Sequence, residues 1–420
     1  MKRRGFVALA AAPAVAPLLA SCGSGSDENE VEIFSWWSGG GEKEGLDKLI
    51  KMYEKENNGT KVVNNGIAGG GGSKAKDQLA ARLKDQDPPD SFQGHAGAEL
   101  YDYIDNKTLD DISGLIKDEK LDKVLHPQIL KGVTKDGKTY SVPVNVHRAN
   151  LLWYNPTVLK EANLKPPKTW AELIDQHKKL KANDKITLAI SSVVFQMQLL
   201  ETVLLGELKA EAYTGLWDGN TDWESSEVID ALDLYTKVLE VTDIKSASDD
   251  WQPQLNKVMK GSAAYAVMGD WAYSYLTSDQ GKEYKKDYDV VETPGSEGIF
   301  DYLADSFTLP VGAPHKENAE KWLKLVGSKE AQTVFNTTKG SLPARTDVAE
   351  SEFSGYLAWN YKQWTDEKIT VVGSLAHGAV VRPSWMTEIE TLLGTFVEDG
   401  DSKTFAQKMV AAYEKTQGKK

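Results

Sequence analysis

The chain holds 420 residues, 40% of them hydrophobic and 26% charged, a globular composition and a length that suits two lobes better than one core. Its 49 lysines and arginines against 62 aspartates and glutamates leave a formal charge of −13, or about −16 once the basic start Lys2-Arg3-Arg4 is removed. That balance argues against nucleic acid as a partner.

The first elements direct export. Lys2-Arg3-Arg4 precedes an apolar stretch over residues 6–20 that is too short and too broken by proline to span a membrane, which marks a signal peptide over residues 1–21. Arg3-Arg4-Gly5-Phe6-Val7 is similar to a twin-arginine signal. The stretch ends in Leu19-Ala20-Ser21-Cys22, which resembles a bacterial lipobox and implies cleavage before Cys22 and a diacylglyceryl thioether on its sulfur. Lipid on Cys22 would then anchor the protein to the membrane, with residues 22–30 as a polar tether. Cys22 is the single cysteine, so no intrachain disulfide and no thiolate metal cluster can form. The histidines are dispersed without ligand spacing, so neither a metal nor a cofactor is expected.

Residues 31–34 read as a strand that delivers Trp36 and Trp37 to a turn, Gly39-Gly40-Gly41. Adjacent residues on an extended chain face opposite ways, so one tryptophan can plug the core. The alternative is a platform on which an indole covers a sugar ring. Leu46, Leu49, Ile50 and Tyr53 then fall at helical spacing up to Asn57-Asn58-Gly59, and Lys61-Val62-Val63 follows as a strand. Strand, helix, strand is the unit of a parallel α/β sheet. Residues 69–72 open the next helix, but lack the Lys-Ser/Thr of a nucleotide loop. Residues 91–95 form a third strand, leading into a helix over 98–103. Extended runs at 140–145 and 150–155, and again at 301–310, are placed as chain crossovers between lobes. Helical pieces are expected over 161–181, split by Pro166-Pro167, and over 226–240, 251–261 and 318–335, with a buried strand at 264–268.

Several scattered motifs are shared with one family. The lipobox, Tyr154-Asn155-Pro156, Pro167-Lys168-Thr169-Trp170, Val267-Met268-Gly269-Asp270-Trp271 and Gly340-Ser341-Leu342-Pro343 together resemble the extracellular solute-binding proteins of bacterial carbohydrate ABC importers. Ser35-Trp36-Trp37, Phe92-Gln93-Gly94-His95, Asn145-Val146-His147, Asp305-Ser306-Phe307, Thr338-Lys339 and Ala376-His377-Gly378 resemble the glucose-type binders within it.

That resemblance implies an α/β periplasmic-binding-protein type II fold, two lobes with a hinge and a ligand cleft between them. Residues 31–143 plus 306–345 would form the N-terminal lobe, and 144–305 plus 346–420 the C-terminal lobe. It also implies a monomer at the extracellular face of the membrane, or in the periplasm if an outer membrane is present, passing glucose or a close epimer to permease subunits. By the same resemblance Trp36 and Trp37 are the stacking pair, and Trp251 and Trp271 the opposite wall. Glu42 accepts hydroxyls, with Glu44 as its rival because the glycine loop is one residue longer than in the family. His95 and Glu99, four apart at the mouth of a helix, share one side. Asp305 would hold two hydroxyls, Lys339 would donate, and His377 would touch the ligand. His147 is assigned only to bracing the hinge. The stretch 191–201 departs from the glucose-type pattern, Val194 and Leu200 standing where polar or aromatic groups are expected, which bears on which sugar binds.

Two other functions fit the same residues. An extracellular glycoside hydrolase would need a carboxylate pair from Glu42, Glu99 and Asp305. A receptor feeding sugar occupancy to a membrane sensor would share the pocket.

Overall fold

A computed structural model describes residues 29–67 and 72–417. The signal peptide, Cys22, most of the tether and most of the glycine run at 69–72 lie outside the described residues.

Three larger sheets organise the chain. The first runs in the order Lys61–Asn64, Glu30–Phe34, Ser91–His95, Asp305–Thr308, Ser141–Pro143. Its first three strands are parallel and are joined by the helices Gly40–Glu56 and Ser73–Lys84, the expected βαβ connection. Leu46, Leu49 and Tyr53 are the buried stripe of the first helix, as their spacing predicts. That helix lies against Lys329–Lys339, and Gly45 permits the approach, since a Cβ there would stand 2.9 Å from the Phe335 ring. The strand starts at Glu30, so the tether ends one residue earlier than expected.

The second sheet has the order Asp289–Glu292, Leu151–Tyr154, Ala263–Val267, Ile186–Ala189. The third has the order Thr370–Gly373, Ile299–Leu303, His147–Arg148. Ala263–Val267 is buried along its whole length, which is why its sequence is an unbroken apolar run rather than an alternating one.

The chain passes from sheet to sheet beside two of the extended runs expected as crossovers, 140–145 and 301–310, whereas 150–155 holds the strand Leu151–Tyr154 of the second sheet. It leaves the first sheet after Pro143 and joins the third at His147, then returns between Leu303 and Asp305. The passages run side by side, with the Val144 N–H donating to the Asp305 carbonyl at 2.9 Å and Val146 bridging to Leu342. Asp305 itself is already in register with His95 in the first sheet.

Two helical expectations shift. Glu161 ends a helix, Pro156–Glu161, rather than opening one, because the Asn155 side chain caps the N–H groups of Thr157 and Val158. Residues 318–335 are two helices, Lys316–Gly327 and Lys329–Lys339, separated by extended Ser328, whose hydroxyl accepts from the Ala331 N–H at 3.2 Å. Replacing Ser328 by alanine is expected to lower unfolding stability by about 1 kcal/mol, the usual worth of such a cap. A shifted urea midpoint at unchanged slope would show it.

Candidate ligand-binding cleft

The strand ends and crossovers converge on one cavity. It has about 450 Å³ of empty volume and is lined by Trp36, Glu42, His95, His147, Phe195, Trp251, Trp271, Leu303, Asp305, Lys339 and His377. A wider vestibule of about 980 Å³ adjoins it, sharing Trp36, Glu42, Trp251 and Trp271 and adding the glycine loop and Tyr275.

Three indoles frame the space. Trp36 follows the strand Glu30–Phe34, and the backbone of Gly72 packs on its ring so closely that a Cβ there would stand 3.0 Å away. Trp251 precedes the helix Gln252–Met259 and packs edge-on to Tyr275 at 5.2 Å. Trp271 spends its indole N–H on Met268 sulfur at 3.1 Å and meets His147 and His377 edge-on, at 5.5 and 5.1 Å. What these rings have to offer a ligand is apolar surface.

The floor is charged. Asp305 lies opposite His95 because their strands pair antiparallel in that register. Its carboxylate accepts from Gln93 Nε2 at 2.8 Å, Asn145 Nδ2 at 2.7 Å and Lys339 Nζ at 3.1 Å. The Nε2 atoms of His95 and His147 stand 3.7 and 3.5 Å away. Burial alone would raise the Asp305 pKa, but Lys339, the hydrogen bond from His147 and the charge of His95 hold it well below the ordinary carboxylate range. Burial disfavours a charge on His147, yet the Asp270 carboxylate bonded to its Nδ1, and Asp305, keep its pKa above the ordinary value. Glu42 differs: burial, which outweighs Lys339 at 3.5 Å, moves its pKa up. The cleft therefore offers apolar faces beside charged acceptors and donors, the combination that a ring with hydroxyls on its rim would fill.

Residues 38–333 match the family of bacterial extracellular solute-binding proteins. The chain belongs to that family. A xylose/arabinose-binding protein, XacG, of Haloferax volcanii is 30% identical over 93% of this chain and 86% of its own length. A probable sugar-binding periplasmic protein of Rhizobium meliloti is 29% identical over 87% and 88%. The glucose-binding protein GlcS of Saccharolobus solfataricus is more distant, 25% identical over 74% of this chain and 59% of its own. Among solved structures, a chitin oligosaccharide binding protein superposes with a TM-score of 0.77 at 18% identity, over 92% of this chain and 98% of its own. That likeness establishes the two-lobe fold.

Within this solute-binding protein, eight of the ten residues expected at the site line the inner cavity: Trp36, Glu42, His95, Trp251, Trp271, Asp305, Lys339 and His377. Trp37 does not. It is 1% exposed, packed against Phe307 and Phe335, and its ring lies 4.1 Å below Lys339 Nζ, so it supports a pocket residue instead of stacking on a ligand. Glu99 also stands behind the wall. Its carboxylate binds His95 Nδ1 and Lys76 Nζ, each at 2.7 Å, and although burial opposes ionisation, Lys76 and His95 hold its pKa far down.

Between the rival acids, Glu42 lines the cavity while Glu44 is exposed and paired with Lys48 at 3.0 Å. His147, expected only to brace the hinge, lines the cavity as well. Of the divergent stretch 191–201, Phe195 alone reaches the inner cavity, Leu200 is core, and Val194 lines a neighbouring space beyond His95 and His377. Sequence reading missed Gln93, Asn145 and Asp270 as holders of the charged groups. The one available signal was that each is polar in an otherwise apolar or glycine-rich run. Among the described residues no group of three or more His, Asp or Glu is placed to hold a metal, and no helix is long and apolar enough to cross a membrane.

Proposed function

We propose that the cleft captures a monosaccharide, glucose or a close epimer, and delivers it to the permease of an ABC importer, with lipid on Cys22 holding the monomeric receptor at the membrane. The observation that carries this reading is the inner cavity, where Trp36, Trp251 and Trp271 surround a floor made of Asp305, Glu42, Lys339 and three histidines. Indole faces suit the C–H faces of a pyranose, and the ionised groups suit its hydroxyls. The resemblance to XacG, a xylose/arabinose-binding protein, and to GlcS, a glucose-binding protein, supports a single small sugar.

Affinity comes from water displaced off the indoles and from charge-assisted hydrogen bonds; discrimination comes from leaving those groups unpaired when an epimer binds. Glycoside hydrolysis needs a carboxyl able to donate a proton beside a free carboxylate. Glu42, raised by burial, can supply the proton, but Glu99 and Asp305 are held ionised with their oxygens engaged by protein side chains, so neither is the free carboxylate the reaction also needs, which favours binding without chemistry.

The test is a titration of intrinsic tryptophan fluorescence with D-glucose, galactose, mannose, xylose and maltose. Saturation by glucose at micromolar concentration is expected, and Trp36→Ala is expected to weaken it about tenfold, the worth of one stacking face. A response to maltose alone, or to no sugar, would overturn the monosaccharide reading.

A further inference from the structure

A second set of buried polar groups lies behind the cleft wall. Glu201, in the helix Val193–Asp218, is fully buried and accepts from the Ala376 N–H at 2.9 Å. Ser374 Oγ, also fully buried, stands 3.0 Å from each Glu201 carboxylate oxygen and 2.9 Å from His377 Nδ1. His377 lines the cavity, and its Nε2 takes no hydrogen bond from any described residue.

Counting protons decides the direction of this chain. A hydroxyl has one proton to give, and an ionised carboxylate can only accept. Ser374 therefore donates to Glu201 and offers His377 only a lone pair. Nδ1 must carry the ring proton, and Nε2 faces the cavity bare.

The charge state of each member agrees. Burial, then the neighbouring His95 and Lys76, keep His377 well below the ordinary histidine pKa, so the ring stays neutral. Asp301, the carboxyl beside Glu201, is pushed well above its ordinary value by burial and by the charge of Glu201, so Asp301 keeps its proton. Burial raises Glu201 to about 7, so the carboxylate on which the proton count depends is formed on the alkaline side of that value. His95 and His147 also carry a carboxylate, Glu99 and Asp270, on their Nδ1 atoms, but their Nε2 atoms face Asp305, which leaves His377 as the ring without such a partner there.

We propose that Glu201, acting through Ser374, fixes His377 as the tautomer with a bare Nε2, so that the cleft demands a hydroxyl donor from its ligand there and rejects a group that can only accept. Glu201 and Ser374 are thus positioning residues. The specificity part rests on the cleft taking a sugar; the tautomer part does not.

Long-range proton–nitrogen correlation NMR of protein with isotope-labelled histidine, on the alkaline side of the Glu201 value, reads the tautomer directly, with His377→Gln assigning the ring. A neutral ring protonated on Nδ1 is expected. In Glu201→Gln the new amide donates to Ser374, whose proton then turns to His377, and the ring proton should move to Nε2. Wild-type protein should prefer D-glucose about tenfold over the monodeoxyfluoro-D-glucose altered at the hydroxyl facing His377, and Glu201→Gln should bring that preference below about threefold.

A wild-type ring carrying its proton on Nε2 overturns the proposal, as does a Glu201→Gln variant that moves neither the proton nor the preference. Should that variant fail to fold, Ser374→Ala cuts the same relay without touching the acid; an unchanged tautomer there also overturns it. If no sugar binds while the proton sits on Nδ1 and moves as stated, the monosaccharide reading fails and the relay stands.

Discussion

Replacing Asp305 by alanine is expected to weaken sugar binding by about a hundredfold or more, in line with the roughly 2–5 kcal/mol lost when one partner of a buried, hydrogen-bonded charge pair is removed. The side chain is 2% exposed and anchors Gln93, Asn145 and Lys339 at once. Lys339 is itself 1% exposed and would keep only Glu42, at 3.5 Å, as a counter-charge. The loss thus has two parts: ligand hydroxyls without their acceptor, and a cation left without its main partner. Asp305→Asn keeps the shape and one acceptor and should fall between alanine and wild type. Calorimetric titration with D-glucose measures the effect, and a thermal melt of each variant separates it from unfolding. Affinity within about threefold of wild type in a folded Asp305→Ala protein would remove Asp305 from the site.

Introducing valine at Gly41 is expected to cost about tenfold or more in affinity by a different route, since a side chain forced into a packed seam costs about 1–3 kcal/mol. Gly41 lies in the first turn of Gly40–Glu56, which connects strands of the five-stranded sheet, and faces Ser274 of the helix Ala272–Ser274, which follows the strand Ala263–Val267 of the second sheet. A Cβ there would stand 2.7 Å from Ser274 Cβ and 2.8 Å from its Oγ, closer than real Cβ atoms come. Opening at the hinge would part this seam, so the variant is expected to bind weakly while its ligand-free melting temperature stays near that of wild type. Adding Ser274→Gly should restore most of the affinity, and small-angle scattering should show the single variant remaining extended with sugar present. If the second change restores nothing, the seam is not what limits closure.

The fold was largely legible because its signals are local. Helical spacing located Gly40–Glu56, and an unbroken apolar run located Ala263–Val267. Ser328 shows where such signals stop: the apolar stripe continues on both sides of it, and only the cap geometry reveals two helices. At the site, strand alternation already said that Trp36 and Trp37 face opposite ways, and the family resemblance that made both of them stacking rings overrode a sound geometric rule. The holders of the charged groups were beyond reach for another reason. Asn145 and Asp305 are separated by 160 residues and Glu201 and Ser374 by 173, so no window along the chain contains both members. Burial makes such pairs mutually necessary, and sequence order does not record burial.

The return passage at Ala304 has one further consequence. Leu303 and Asp305 flank it and both line the cavity, although they belong to different sheets. Points beside a fulcrum travel least when two arms swing, and points at the tips travel farthest. Asp305 and His147, beside the crossing strands, are therefore expected to move less in an opening stroke than Gly41 and Ser274 of the vestibule. A sugar arriving at the open jaws would find its acid already set, and the far indoles would come to it afterwards. Substitutions in the floor are then expected to act on capture rate, and substitutions in the far indoles on residence time.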